Sequence, residues 1–145
     1  METTMGRVLV TAKIENLYDV EQRERGLLSA DEVRSVEVND ALIDTGATGL
    51  LLPMRLIDQL GLRPYKTRPS RGIAGETSLT IYSAVRMTIQ GRDCLSDVVE
   101  IADGLHVLIG QVPLELLDFL VDPKGQKLVG NLVHGGEQMM EVFWL

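Results

Sequence analysis

In Ala41-Leu42-Ile43-Asp44-Thr45-Gly46-Ala47, apolar residues run straight into a carboxylate and then into a turn. This stretch constrains the chain more than any other. An ionised Asp in the middle of a buried strand is costly, whereas at the strand's end it sits beside the core without being sunk in it. Asp44-Thr45-Gly46 therefore marks a place where a strand leaves the core and turns sharply. A carboxylate fixed on a rigid turn suits acid–base chemistry. The triplet alone says little, because Asp and Gly are ordinary turn residues. Its weight comes from the rest of the chain.

The 145 residues fit a single domain, residues 1–145, with enough chain to bury a core without staples. Hydrophobic residues make up 45% but aromatics only 4%, so the core is built mainly from Val, Leu and Ile, which favour packed strands. No apolar run approaches the length needed to span a bilayer, and no membrane partner is expected. Residues 1–7 lack the basic and apolar regions of a signal peptide, so a cytoplasmic location is the simplest expectation. Cys94 is the only cysteine, which excludes an internal disulfide and a thiolate zinc cage; in its strand-like setting it reads as a buried thiol. His106 and His134 have no second ligand at metal spacing, and no phosphate-cradling or dinucleotide glycine pattern is present. Neither metal nor cofactor is expected. The net charge of −7 argues against nucleic acid as the main partner.

Read along its length, the chain is mostly β with two short helices. Val8 to Ile14 is a first strand, and residues 15–33 form a polar excursion with a helical turn starting at Ser29. Strand character resumes from Arg34 to Ile43. Leu50-Leu51-Leu52 is a short buried strand, followed by a helix from Met54 to Leu60 that Gly61 closes. Residues 64–75 read as a basic loop with Lys66, Arg68 and Arg71. Ser78–Tyr82, Val85–Ile89 and Cys94–Ile101 read as three strands, the last two joined by a hairpin at Gln90-Gly91-Arg92-Asp93. A second apolar run, Leu105 to Gly110, precedes a helix over Pro113–Phe119 and a closing hairpin from Leu120 to Val129.

Two features now stand in order: an apolar strand ending in Asp-Thr-Gly-Ala, and a second ending in Gly before a short helix. Together with the glycine-containing Arg71-Gly72-Ile73-Ala74-Gly75, with Val107-Leu108-Ile109-Gly110-Gln111 and with Leu120-Val121-Asp122-Pro123, they resemble the retropepsin-like aspartic proteases. The resemblance covers residues 34–131 and leaves 132–145 as a C-terminal tail. It implies a closed-barrel-like acid-protease domain acting as a homodimeric aspartic endopeptidase on an extended peptide or protein substrate. Hydrolysis without a metal or a Ser or Cys nucleophile needs water activated by carboxylates. Two carboxylates held about 3 Å apart share one proton, as in the established aspartic-protease dyads. This chain carries a single Asp-Thr-Gly, so a dyad requires Asp44 from each of two copies.

The resemblance also distributes roles. The Thr45 hydroxyl bonds across the dimer, Gly46 lets its amide approach the carboxylate, and Ala47 lines the wall beside the substrate. Gly72, Ile73, Ala74 and Gly75 form the tip of a flap that closes over the peptide. Gly110 lets the second apolar strand pass tightly behind the Asp44 turn. Gln111 departs from the retroviral members, which usually carry Arg there; Gln cannot form that ion pair, so the dimer is weaker or held differently. The basic cluster Arg63, Lys66, Arg68 and Arg71 reads as a solvated loop, with a preference for acidic substrates as the alternative. The apolar ending Val142-Phe143-Trp144-Leu145 either adds an interface strand or packs on its own subunit. A reading from another class is a dimeric peptide- or protein-binding module on the same fold, with weak or no hydrolysis.

Overall fold

The computed structural model describes residues 7–73 and 75–142. Strand β1 (Leu9–Asn16) alternates inward Val10, Ala12 and Ile14 with outward Leu9, Thr11 and Lys13, the period-two signature of a half-buried strand. It pairs antiparallel with β2 (Ser35–Ile43) along one edge, and through Lys13–Asn16 with β5 (Gly75–Ile89) along the other. β2 runs parallel to the short β7 (Leu108–Ile109), with Leu42 opposite Leu108 and Ile43 opposite Ile109. β7 continues the sheet to β3 (Leu50–Pro53), and β3 lies parallel to β6 (Arg92–Ile101). β6 pairs with β5, and β5 with β4 (Pro64–Gly72). A separate ribbon joins β8 (Phe119–Asp122) to β9 (Lys127–Gly130).

The core holds Ile14, Leu50, Leu52, Ile57, Leu60, Val85, Met87, Val98, Ile109 and Leu117, none more than 1% exposed. Val, Leu and Ile fill it, as the composition requires. Among the described residues three α-helices flank the sheet, one more than the sequence suggests. The additional helix is α1 (Leu17–Glu24), inside the stretch read as a polar excursion. Asn16 caps it, its side-chain oxygen accepting from the Asp19 amide at 3.1 Å, while its Nδ2 donates to Leu60 O at 2.8 Å. The periodicity is faint because α1 buries only Asp19 and Val20. Arg34 grips Asp19 through two guanidinium nitrogens, Nε at 2.8 Å and Nη2 at 3.0 Å, and holds that carboxyl below its ordinary range. The turn expected at Ser29 is a single 3-10 turn, Ala30–Glu32.

Helix α2 (Met54–Leu60) spans the expected residues, with Pro53 as its N-cap and Gly61 ending it at φ +64°. α3 (Gln111–Leu117) begins earlier than expected, because the Gly110 N-cap starts it, and stops where Asp118 turns left-handed at φ +60°.

Two further expectations are corrected. Residues 64–75, read as a loop, are mainly strand: β4 pairs with β5 from Pro64 opposite Tyr82 to Gly72 opposite Gly75. The two strands read at Ser78–Tyr82 and Val85–Ile89 are one continuous β5, and the apparent break is a register shift between Tyr82 and Val85. The Gln90-Gly91 turn has positive φ at both residues, +50° and +80°, as a two-residue hairpin demands. Among the described residues, no helix is long and apolar enough to cross a membrane.

Candidate active site at the Asp44 turn

β2 delivers Asp44 out of the core. Ile43 is buried, Asp44 and Ala47 are half-buried, and Thr45 and Gly46 are exposed. The turn is fastened from behind by the backbone of the β7–α3 junction. The Asp44 amide donates to Ile109 O at 2.9 Å, the Gly110 amide to Gly49 O at 2.8 Å, the Gln111 amide to Ala47 O at 2.8 Å and the Val112 amide to Thr48 O at 2.9 Å. Within the turn, the Ala47 amide donates to Asp44 O at 3.0 Å. This interlock explains Gly110. A Cβ there would lie 2.5 Å from Gly49 O and 2.6 Å from Ala47 O, closer than any side chain tolerates.

Among the described residues the Asp44 carboxylate receives one hydrogen bond, from the Gly46 amide to Oδ1 at 3.0 Å. A Cβ on Gly46 would stand 3.2 Å from that oxygen, so glycine provides the close approach. The Thr45 side chain makes no hydrogen bond within the chain among the described residues. Gln111 donates through Nε2 to Glu115 Oε1 at 3.0 Å, a contact along its own helix.

A cleft of about 490 Å³ opens beside the turn. Ala47, Thr48, Gly49 and Leu51 form one side, Leu79, Ile81, Asp97 and Val99 line it from β5 and β6, and Arg68, Pro69, Ser70 and Arg71 line it from β4. Of the residues singled out from the sequence, Asp44, Thr45, Gly46 and Ala47 therefore share one turn. Gly72, Ile73 and Gly75 sit apart from it at the tip of the β4–β5 hairpin, with Ile73 wholly exposed, and none lines this cleft. Ala74 lies outside the described residues. Of the β4 residues lining the cleft, the sequence singles out Arg68 and Arg71, but on a segment that it presents as a loop, and passes over Pro69 and Ser70; read as a strand, its alternation places Lys66, Arg68 and Ser70 on one face.

Groups elsewhere carry less chemistry. Burial pushes the Cys94 thiol up to about 11, which suits an inert buried thiol. His106 bonds through Nδ1 to Asp40 O at 2.8 Å, and His134 lies between Asp118 and Glu141, far along the chain from the turn.

A family model described as aspartyl protease matches residues 32–112, more than half of the chain, and spans the Asp44 turn, the cleft and the Gly110 junction. Among solved structures, the solution structure of simian foamy virus (mac) protease is similar to the chain at 20% identity and a TM-score of 0.47, covering 75% of this chain and 93% of that one. No curated protein matches it in sequence.

Proposed function

Because this chain belongs to the aspartyl protease family, we propose that it is a retropepsin-like aspartic endopeptidase whose site is assembled from two copies, each supplying Asp44. The observation that carries the reading is the Asp44 turn itself. Backbone hydrogen bonds hold its shape, and among the described residues the carboxylate has a single donor, which leaves it able to act on a reactant. With one such carboxylate per chain, a dyad forms only about a two-fold axis. Of the two Asp44 groups, one is ionised and takes a proton from the attacking water. The other is protonated and donates to the scissile carbonyl oxygen.

The remaining roles follow from the same arrangement. The Thr45 hydroxyl, without a hydrogen-bond partner among the described residues, bonds across the axis to the other copy. Gly46 keeps an amide on the carboxylate, and Ala47 borders the substrate. Gly72, Ile73 and Gly75 form the flap tip, and Ile73's full exposure supports a part that closes only on substrate. The pairing of β1 with both β2 and β5 supports a closed-barrel-like domain. The peptide lies extended, hydrogen-bonded like an added strand. The reaction needs no metal or cofactor, and the site of action is cytoplasmic.

The test is cleavage of a peptide library from pH 4 to 7 by wild type and Asp44→Asn, over a range of protein concentrations. Cleavage by wild type alone, rising more than linearly with concentration, is the expected result. A stable dimer that cleaves nothing would replace this reading with that of a peptide-binding module.

A further inference from the structure

Beyond the reaction class lies the question of which peptides enter. The chain carries a net charge of −7, yet the nine residues of β4 contain Lys66, Arg68 and Arg71 and no acidic residue. Because β4 is a strand, these charges have defined positions. Arg68 lies opposite Leu79, and both line the cleft, as does Arg71, whereas Lys66 does not. Arg71 is held by Glu76 at 3.2 Å in an exposed pair. Arg68 has no hydrogen-bond or ion-pair partner among the described residues. The apolar strip beside it is built from Leu51, Leu79, Ile81 and Val99.

An unpaired guanidinium at the rim of an apolar strip fits a side chain with an aliphatic stem and an anionic tip. The stem covers the strip, and the planar fork receives the carboxylate through paired N–H groups. The one anion lining the cleft, Asp97, lies on β6, two strands away from β4. Its charge repels a second carboxylate placed near it and so confines an acidic side chain to the β4 rim.

We propose that Arg68 is a specificity-determining residue that favours peptides carrying a glutamate side chain into this cleft. The proposal rests on the protease reading only for the identity of the ligand as a peptide, and the two can fail separately.

The experiment is equilibrium binding to the Asp44→Asn protein of an apolar host peptide carrying Glu, Gln or Lys at each position in turn. Wild-type cleavage of the same series is followed in parallel. At one position Glu is expected to bind about tenfold more tightly than Gln, the scale of a single charge-assisted hydrogen bond. That advantage should shrink with added salt. Arg68→Glu in the same background should reverse the order to favour Lys, and Asp97→Asn should preserve the preference for Glu. Arg68 is an exposed residue of an edge strand, so an unchanged melting curve for Arg68→Glu should accompany the reversal. Equal binding of Glu, Gln and Lys at every position overturns the proposal, as does a Glu preference that survives Arg68→Glu. Cleavage without Glu preference overturns the role of Arg68 and leaves the protease reading intact. Glu-selective binding without cleavage does the opposite, and failure of every peptide to bind overturns both.

Discussion

The Asp44 turn and residues 131–142 are fastened at opposite ends of α3 by different means. At the helix start, backbone amides and carbonyls of residues 44–49 and 109–112 interlock, and among the described residues the one side chain bonded into the turn is that of Asp44, which accepts from the Gly46 amide. At the helix end, charged and polar side chains hold the chain. Asp118 accepts from His134 Nδ1 at 2.6 Å and from the Met139 amide at 3.0 Å, while Glu141 meets His134 Nε2 at 2.9 Å. Arg92 donates to the carbonyls of Leu117, Asp118 and Gly136 and stacks 4.4 Å over the Phe119 ring. The contrast teaches where titration is tolerated. A turn built mainly on backbone hydrogen bonds does not depend on a charged pair for its shape, whereas a segment held by an imidazolium between two carboxylates does.

The largest effect expected is on chemistry alone. Asp44→Asn should cost about 10²–10⁴-fold in peptide cleavage, the usual contribution of a general acid or base. The amide oxygen can still accept from Gly46, so thermal unfolding should match wild type within about 0.5 kcal/mol. A large loss of stability would show that the carboxylate, and not the backbone, builds the turn.

Gly110→Ala attacks the interlock from behind. Its Cβ would collide with backbone atoms of Ala47, Thr48 and Gly49, so the turn must shift. A destabilisation of about 1–3 kcal/mol, as for other overpacked sites, should appear in denaturant unfolding together with lost cleavage. Unchanged unfolding would mean that the junction is looser than drawn.

The opposite region should respond to pH. His134 is raised above 6.5 first by its bond to Asp118 and then by Glu141, and Asp118 is lowered below 3.8 first by His134. The histidine's contribution is complete below its ordinary value and is lost as pH rises through its raised folded value. The aspartate's is complete above its ordinary value and is lost as pH falls through its lowered one. Docking of 131–142 is therefore strongest between about 4 and 6.5 and weakens on both sides. Hydrogen exchange at the Met139 amide, which Asp118 accepts, should be slowest in that window, and His134→Gln should flatten the alkaline limb. Protection that does not vary with pH in wild type would contradict the clamp.

The smallest effect belongs to Gln111→Ala. It removes only an exposed contact to Glu115 one helical turn away and should change stability by less than about 0.5 kcal/mol. A marked fall in dimer affinity would reveal a role across the two-fold axis that the contact to Glu115 does not suggest.

How far the sequence speaks depends on burial. Leu50–Leu52, the Met54–Leu60 helix and the Gln90-Gly91 hairpin are readable because apolar runs, a closing glycine and a two-residue turn each leave a local mark. β4 leaves none, since it is exposed on nearly every residue and hydrophobic alternation records only what is buried. α1 is obscured for the same reason, with its Asn16 cap the one available signal. At the site, the Asp44 turn and the glycine behind it are legible from type and order. The cleft is not, because Arg68, Leu79 and Asp97 meet only once β4, β5 and β6 are in register. The apolar ending at 143–145 lies outside the described residues.

The central claim, that one site draws its two carboxylates from two copies, is tested most directly by mixing wild type with Asp44→Asn at constant total concentration and allowing subunits to exchange. If both Asp44 groups are required, cleavage falls with the square of the wild-type fraction, to about one quarter at equal parts. A strictly proportional fall, to about one half, would mean that a single chain suffices and would contradict the account.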